Sequence, residues 1–492
     1  MEVIIEGFLS AFTLNNIFFI VAGVVLGLLI GVVPGINGPM GIALCIPLTY
    51  YMSPISAIAF LVGINKGSCF GGAIPSILLN TPGVPESTAT TFDGYPLTQK
   101  GQGEKALRMS LYSSVFGDTF SDIVLILVAA PLALVALYMG PPEIFALVVL
   151  ALTVIAGVES ESLSKGLITA AFGVLVSCVG IEAVSALPRL TLGLFQLESG
   201  ISLVVIAIGM LAVAEIIIQL ETRLQLKQPI QLSKNPEDRF LSWNEFKSCL
   251  PTIIRSSCIG TGVGAMPGIG APVAAFLAYG QAKKYSKHPE EFGKGSLEGV
   301  AAPEAATNAV VGANLIPLFT LGIPGNLAAA LLVGAFVIHG ITPGPLIFEQ
   351  NAVLIYGIFA SMLMACGVLL FVGQIGLRVF VRVVEVPLPI LYPVIFFTCL
   401  MGAYMASGSI FGVKVMLVFA IIGYAMKKLK FSFVCFLIGF ILGPMLEVSL
   451  QQIVISSEQN PYLMLTRPVA LGLLAITLYV VARIAFKTYK DR

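Results

Sequence analysis

Charged residues are scarce in this sequence: Asp, Glu, Lys and Arg make up 11% of its 492 residues, and the formal net charge is +1. Soluble domains carry about 25% charged residues, whereas 57% of this chain is hydrophobic. A water-soluble fold of this size cannot bury so much apolar surface, but a lipid environment permits an apolar exterior. The near-zero net charge provides no overall basic field, so no nucleic-acid partner is expected.

Residue types that build metal and redox sites are also few. The two histidines, His288 and His339, cannot form a histidine metal cluster, and none of the eight cysteines falls in a CxxC pair. We expect no disulfide, no metal site, no bound cofactor and no catalytic residue. The glycines at 260–264 and 293–296 lack the context or the spacing of a nucleotide-binding loop. The sequence therefore predicts neither an enzyme nor an ATP-driven pump.

Long apolar stretches recur throughout the chain and predict an all-α polytopic integral membrane protein with about twelve transmembrane helices. The segment before the first stretch carries Glu2 and Glu6 and no basic residue, so we expect a retained span rather than a cleaved signal peptide. Basic clusters near 378–382, 427–430 and 487–492 predict a cytoplasmic C-terminus by the positive-inside rule. The predicted spans lie near 17–33, 40–64, 110–139, 142–158, 163–180, 198–219, 249–268, 302–340, 351–373, 388–406, 410–426, 431–447 and 468–486.

The order of Pro-Gly landmarks in the first half of the chain recurs in the second half. Pro34-Gly35 corresponds to Pro267-Gly268, and each pair is followed closely by a second Gly-Pro or Ala-Pro step. Pro75 and Pro82 are seven residues apart, as are Pro317 and Pro324, and a glycine follows the second proline in both cases. We predict two related halves, 1–220 and 249–492, joined by a polar linker at 221–248, and we expect the halves to be inverted.

Proline and glycine within apolar spans interrupt helices, because proline lacks an N–H donor and glycine permits positive φ. In lipid such a break is tolerated only where protein or a wet cavity satisfies the freed backbone groups. Two matched breaks in each half therefore predict one polar cavity near the middle of the bilayer. Helix N-termini at the breaks favour carboxylates, and the carbonyl ends can hold Na⁺.

Polar side chains near the breaks are the candidate ligands. Lys66 is the one positive charge in an early apolar region, which makes it a candidate for contact with an anion, although pairing with a carboxylate or snorkelling to the interface is equally consistent. Glu304 and Asn308 are candidates for coupling to H⁺ or to another cation, and for Glu304 a structural role is the alternative. The neutral candidates, which can equally act as interhelical hydrogen-bonding groups, are Asn37, Asn65, Asn80, Thr81, Asn308, Asn314 and Asn326.

Three long segments, 31–50, 71–101 and 286–349, carry a resemblance to a known family. They contain GVVPGINGP, LLNTPGVPESTATTFDGYP and AAPEAATNAVVGANLIPLFTLGIPGN. In these segments, and in length, the chain is similar to the large membrane subunit of tripartite tricarboxylate transporters, the TctA family. The motif residues that carry over are Pro34, Gly35, Asn80, Pro82, Gly83, Pro267, Gly268, Gly270, Asn308, Pro324 and Gly325.

The resemblance implies ion-driven uptake of citrate, another tricarboxylate or a related small carboxylate across the inner membrane. It also implies two partners, a periplasmic solute-binding protein and a separate membrane subunit of about four spans. Two competing hypotheses remain: a stand-alone carrier of another organic anion that needs no binding protein, and an intramembrane enzyme or membrane scaffold. The coupling ion, H⁺ or Na⁺, is left open by the sequence.

Overall fold

The computed structural model describes residues 2–33, 35–160, 162–182, 186–222, 236–383, 388–457 and 466–490. Helices dominate these residues. The α-helices are α1 Glu2–Ala11, α2 Leu14–Val32, α3 Gly38–Cys45, α4 Pro54–Leu79, α5 Thr88–Gln99, α6 Gly103–Ala136, α7 Pro141–Val158, α8 Leu163–Ser177, α9 Leu203–Ala207, α10 Ala214–Thr222, α11 Pro236–Arg239, α12 Trp243–Gly264, α13 Gly270–Tyr285, α14 Leu297–Ala313, α15 Leu315–Leu321, α16 Leu327–Ile338, α17 Ile347–Gln350, α18 Ala352–Val383, α19 Leu388–Ser407, α20 Ile410–Lys428, α21 Phe433–Ser457 and α22 Pro468–Lys490.

Short elements link these helices. Single 3₁₀ turns cover Ile46–Tyr51, Pro85–Ser87, Phe195–Leu197 and Pro289–Glu291, and a π turn at Ile208–Val213 joins α9 to α10. The two strands in the described residues, β1 Gly180–Ile181 and β2 Pro188–Arg189, pair antiparallel, with Gly180 opposite Arg189. The sheet is too small to shape the fold, so the architecture is a helical bundle.

Eight helices in the described part of the chain are long and apolar enough to cross a membrane. They are α2, α4, α6, α7, the combined helix Leu203–Glu221, α18, α20 and α21. Four shorter apolar helices, Leu163–Ser177, Leu327–Ile338, Tyr392–Ser407 and Pro468–Arg483, accompany them. The prediction of an all-α polytopic membrane protein is thereby confirmed.

Helices α2 and α4 run parallel and touch through glycines. A Cβ added at Gly23 would lie 2.3 Å from the carbonyl oxygen of Phe60, and one added at Gly27 would lie 2.3 Å from that of Ile64. Contacts that advance together along both helices require the same direction. Small residues allow helix backbones to approach this closely in a membrane, where dispersion replaces the hydrophobic effect between helices. The chain between them, α3 and the 3₁₀ turn Ile46–Tyr51, therefore returns across the bundle.

The same three-element unit occurs in the second half. Gly260 of α12 packs on Ala306 of α14, and Gly264 packs on Val310, so α12 and α14 are also parallel. Helix α13 returns the chain between them. We call residues 14–136 the first repeat and residues 243–383 the second repeat, and the matched helices are α2 with α12, α3 with α13, α4 with α14, α5 with α16, and α6 with α18.

The contacts orient the two repeats oppositely. Helix α18 is parallel to α4, because Gly357 packs on Ile55 and Cys366 contacts Lys66 further along both helices. It is antiparallel to α6, because Gly373 packs on Leu111 whereas Cys366 contacts Asp122.

Helix α6 links this orientation to the second repeat. Its Gly117 packs on Ala305 and its Asp122 on Gly312, so α6 and α14 are parallel. Because α4 is antiparallel to α6, it is also antiparallel to α14, its counterpart. Helices α2, α4 and α6 therefore run opposite to their counterparts α12, α14 and α18, as an inverted repeat requires.

The remaining helices flank this centre in a matched way. Helix α8 packs parallel to α21, with Gly173 on Phe436 and Gly443 on Ser177, and the helix α9–α10 packs parallel to α20, with Gly209 on Met416 and Gly423 on Met210. The largest buried apolar cluster lies between the two repeats and draws residues from α3, α4, the π turn, α15, α16 and α18.

The predicted span at 40–64 is wrong, and two prolines explain the difference. Pro47 is the second residue of the 3₁₀ segment after α3, and Pro54 occupies the first turn of α4, where a missing N–H costs nothing. Ser53 caps α4 by accepting a hydrogen bond from the Ser56 N–H at 3.4 Å. Part of the predicted linker, 223–235, lies outside the described residues, and α12 begins inside that linker at Trp243.

Two glycines of α12 provide a matched test of the close helix contact. A Cβ at Gly260 would lie 2.1 Å from the Ala306 carbonyl oxygen, whereas nothing lies within 4 Å of a Cβ at Gly262. We expect Gly260→Ala to lower stability by about 1–3 kcal/mol through overpacking, and Gly262→Ala to leave it unchanged or slightly raised. Thermal melting followed by fluorescence-detected size-exclusion chromatography measures both, and equal melting temperatures would contradict the packing described.

Candidate functional site

The first break of the first repeat separates α2 from α3. Gly35 has φ +91°, in the left-handed region that favours glycine, and Pro34 lies outside the described residues. The Asn37 side chain caps α3 by accepting a hydrogen bond from the Met40 N–H at 3.0 Å. A Cβ added at Gly38 would lie 2.2 Å from Ser68 Oγ and 3.0 Å from Asn65 Oδ1. The start of α3 is therefore seated on polar side chains of α4.

The second break of the first repeat ends α4. Asn80 takes the left-handed conformation with φ +54°, and the Thr81 N–H donates to the carbonyl oxygen of Pro75 at 3.4 Å. The Gly83 N–H donates to the carbonyl oxygen of Gly72 at 3.3 Å. A Cβ at Gly83 would lie 2.7 Å from the carbonyl oxygen of Gly31, just before the first break. The two breaks of the first repeat therefore adjoin each other.

The second repeat uses the same backbone devices. Gly268 has φ +86° at the first break, and Gly322 has φ +73° where α15 ends. The Ile323 N–H donates to the carbonyl oxygen of Pro317 at 3.2 Å, matching the bond from Thr81 to Pro75 in the first repeat. The match of conformation and bonding at corresponding positions confirms that both halves contain broken helices, as the sequence predicts.

The two breaks of the second repeat are joined directly. The Gly268 N–H donates to the carbonyl oxygen of Gly325 at 2.9 Å. Asn326, which follows the buried Pro324, caps α16 by accepting from the Ala329 N–H at 2.9 Å. These bonds satisfy backbone groups that the interruptions of the helices release, as an apolar environment requires.

A pocket of about 390 Å³ lies at the breaks of the first repeat. Four predicted site residues line it: Gly35 and Asn37 from the first break, and Pro82 and Gly83 from the second. Helix α3 begins at this pocket, so the positive end of its dipole is nearby. The other lining residues come from α3, the segment after α4, the helix α9–α10, α20 and α21, namely Met40, Val84, Pro85, Met210, Leu211, Ala214, Glu215, Gly423, Lys427 and Phe433.

The charged groups of the pocket are paired with each other. The Lys427 ammonium contacts the Glu215 carboxylate, and the Gln219 side-chain amide donates to the same carboxylate at 2.6 Å. A bound anion would compete with Glu215 for Lys427. The arrangement therefore provides one movable cation, one amide at Asn37 and a helix N-terminus, a combination suited to a carboxylate.

Other predicted site residues lie at the breaks but outside this pocket's lining. Asn80 and Thr81 form the exposed or half-exposed turn after α4. A Cβ at Gly270 would lie 3.0 Å from Glu159 Oε1, and Pro267 precedes Gly268 at half-buried depth.

Asn314 is the most buried of the predicted amides at the second-repeat breaks. It is 2% exposed, and its Oδ1 lies 3.0 Å from the position of a Cβ at Gly325. Within the described residues neither its side-chain oxygen nor its nitrogen has a hydrogen-bond partner. A buried amide with both groups free beside a backbone break is suited to a polar ligand. The assignment of Asn314 to the substrate site stays a prediction.

Lys66 lies away from the pocket. Its Nζ is 3.0 Å from Asp118 Oδ1 and 3.0 Å from Asp122 Oδ2, and all three side chains are at most 1% exposed. In this structure Lys66 is therefore paired with carboxylates, which is one of the alternatives that the sequence left open. Contact between Lys66 and a bound anion stays a prediction.

Glu304 and Asn308, the predicted ion-coupling residues, lie on α14 within the same buried layer. Glu304 accepts hydrogen bonds from the hydroxyls of Thr90 at 2.5 Å, Ser110 at 3.1 Å and Ser114 at 3.2 Å. Asn308 Nδ2 donates to the backbone oxygen of Glu304 at 2.9 Å. Glu304 is surrounded by α5 and α6, and neither Glu304 nor Asn308 lines the pocket. Their role in ion coupling stays a prediction.

Sequence reasoning missed four charged residues. Asp118 and Asp122 are not among the predicted site residues, although their spacing of four residues puts both on one face of an apolar helix. That spacing, together with a single lysine in another apolar helix, was the available signal. Glu215 is also absent from the predicted site, and the lysine cluster at 427–430 supports only the topology prediction. Nothing in a linear pattern brings α10, α20 and the first break together.

Comparison with known proteins gives one family match. The model of the Tripartite tricarboxylate transporter TctA family matches residues 17–438. A protein of Agrobacterium vitis, described as an uncharacterized 52.8 kDa protein in the TAR-I ttuC' 3' region, is 37% identical over 472 residues, which cover 96% of this chain and 93% of that protein. A second Agrobacterium vitis protein, in the TAR-II ttuC' 3' region, is 37% identical over 222 residues, 45% of this chain and 92% of its own length. No solved structure matches.

Removal of Lys66 tests the buried ion pairs. Lys66→Met leaves two buried carboxylates without their cation, so we expect a loss of about 3–5 kcal/mol in stability. The triple variant Lys66→Met/Asp118→Asn/Asp122→Asn removes all three charges and should recover most of that loss. Thermal melting in detergent measures both, and a single variant as stable as the wild type would show that Lys66 does not compensate the two aspartates.

Proposed function

Because the chain belongs to the tripartite tricarboxylate transporter TctA family, we propose that it is the translocating subunit of a secondary active transporter for a tricarboxylate or related small carboxylate. Uptake would be driven by an H⁺ or Na⁺ gradient. The family match supports a membrane transporter rather than an enzyme, and the broken helices in each repeat are typical of transporters that bind substrate between inverted units.

The pocket at the first-repeat breaks carries this proposal. Its volume of about 390 Å³ falls within the range of about 300–1,000 Å³ that small-molecule sites occupy. Asn37 and Lys427 supply donors, and Gly35, Pro82 and Gly83 line the same pocket. A small carboxylate would take over Lys427 from Glu215 and lie at the N-terminus of α3.

The inverted arrangement supplies the conformational change. Opposite orientation of two similar units allows each to adopt the other's conformation, so the pocket opens alternately to either side of the membrane. We propose that the halves 1–220 and 249–492 move against each other, with 221–248 as the connection.

Two partners and a location complete the proposal. A periplasmic solute-binding protein would deliver the carboxylate, and a separate membrane subunit of about four spans would accompany this chain. The chain would lie in the inner membrane with its C-terminus in the cytoplasm. The cluster Lys427, Lys428 and Lys430 supports a cytoplasmic location for the turn after α20. Lys165, at the start of α8, donates to the backbone oxygen of Leu429 in that turn at 2.9 Å. The turn between α7 and α8 therefore lies on the same side of the membrane.

Reconstitution decides between this proposal and a stand-alone carrier. Proteoliposomes containing the large subunit, the four-span subunit and the binding protein of the same organism should accumulate radiolabelled citrate under an imposed ion gradient. We expect negligible uptake when the binding protein or the small subunit is omitted. Full uptake by this chain alone would establish the stand-alone carrier, and the absence of uptake of citrate and other carboxylates by any combination would contradict transport of this class.

Adjacent lysines provide a matched test of the pocket. Lys427 lines the pocket, whereas Lys428 is paired with Glu221 outside it. We expect Lys427→Gln to raise the KM for citrate at least about tenfold, because a charge-assisted contact of 1.5–3 kcal/mol is lost. Lys428→Gln should leave the KM unchanged. Equal effects of the two substitutions on KM would place the substrate elsewhere.

A further inference from the structure

Three titratable side chains meet in a layer closed to solvent. Lys66 on α4 binds Asp118 and Asp122, which are one helical turn apart on α6, at 3.0 Å each. The exposure of the Lys66 and Asp118 side chains is 0% and that of Asp122 is 1%. A buried charge is costly unless an opposite charge compensates it. The net charge of these three side chains therefore decides whether the group must bind a further cation or a proton.

One lysine cannot compensate two ionised aspartates. With all three groups ionised the group carries one net negative charge, and each aspartate uses one oxygen for Lys66. In the part of the chain that the structure describes, the second oxygens, Asp118 Oδ2 and Asp122 Oδ1, have no hydrogen-bond partner although they are buried. One positive charge and at least one donor are therefore missing.

An unused acceptor on the neighbouring helix faces the same layer. Asn308 is 0% exposed, and its nitrogen is occupied by the Glu304 backbone oxygen, while its Oδ1 is without a partner among the described residues. Ala305 and Gly312, on either side of Asn308 along α14, pack on Gly117 and on Asp122. Asn308 thus lies on the face of α14 that covers the two aspartates.

The other titratable groups near the aspartates are two thiols and one carboxyl. Cys69 of α4 is a buried thiol that interacts with Asp118. Cys366 of α18 lies 3.4 Å from both Lys66 Nζ and Asp122 Oδ2. Glu304 of α14 is held separately by the hydroxyls of Thr90, Ser110 and Ser114. Helix α2, which packs on the other side of α4, has no titratable side chain. None of these groups supplies the missing positive charge.

We propose that Lys66, Asp118 and Asp122 form a proton-binding site in which the two aspartates share one proton. Binding forms an O–H bond on a free carboxylate oxygen and changes the net charge of the group from −1 to 0, and release returns the proton to water. The Asn308 side-chain oxygen accepts a hydrogen bond from the protonated carboxyl. A proton fits better than Na⁺, because the Lys66 ammonium already occupies the position between the carboxylates and would repel a second cation.

The location gives the proton a role in transport. Lys66 and the aspartates belong to the first repeat, whereas Asn308 and Cys366 belong to the second, so the site lies where the repeats meet. Its charge state therefore affects the interface across which the two units would move. This role rests on the proposed transport function, but the site itself does not.

Infrared spectroscopy detects the proton without any substrate. Difference spectra between acidic and alkaline pH, recorded on the protein in lipid nanodiscs, should show a carbonyl stretch of a buried protonated carboxyl. We expect Asp118→Asn/Asp122→Asn to lose this band completely. Glu143→Gln is the matched control, because Glu143 is a buried carboxylate that caps α7 at Gly140, and it should retain the band.

Two results would overturn the proposal: no such band in the wild type, or a band that persists in Asp118→Asn/Asp122→Asn and disappears in Glu304→Gln. If the double variant does not fold, Lys66→Met/Asp118→Asn/Asp122→Asn replaces it, with the same expected loss of the band.

Transport is a separate readout: citrate accumulation driven by a pH gradient should fall at least tenfold in the double variant, while citrate exchange without a gradient continues. Failure of citrate transport in the wild type would count against the proposed function and leave the infrared result standing.

Discussion

Backbone hydrogen bonding in a medium without water is the constraint on which this structure depends. Each unsatisfied N–H or C=O group costs several kcal/mol in hydrocarbon, so a helix interrupted by proline and glycine must find new partners inside the protein. The chain does this with the same devices in both repeats. Thr81 and Ile323 donate to Pro75 and Pro317, and the paired breaks of the second repeat share the bond from Gly268 to Gly325. These hydrogen bonds satisfy backbone groups that the interruptions leave without helical partners.

This constraint also explains why the sequence predicted the breaks so well. The Pro-Gly landmarks are local, and their consequences, positive φ at Gly35 and Gly268 and helix ends at Asn80 and Gly322, are local too. The inverted arrangement was an expectation that needed long-range contacts to test. The span at 40–64 was mispredicted, because apolar composition does not distinguish a crossing from the return element α3 followed by a new helix at Pro54.

The charged residues show where sequence reasoning ends. Lys66 was recognised as unusual, but its partners are 52 and 56 residues away on another helix, and a linear pattern contains no such distance. Likewise Lys427 reaches the pocket through packing of α20 on the helix α9–α10. The two sites separate the tasks of the molecule: a pocket at the breaks suited to the solute, and a buried charged layer between the repeats suited to a proton. Movement of one repeat against the other would link them.

The structure of the assembled transporter with citrate bound, determined by electron cryo-microscopy, tests the central claim most directly. The account predicts density for the tricarboxylate in contact with Gly35, Asn37, Gly83 and Lys427, with Glu215 displaced from the lysine. Citrate density remote from both pairs of breaks, or continuous helices through residues 33–38 and 80–83, would contradict it.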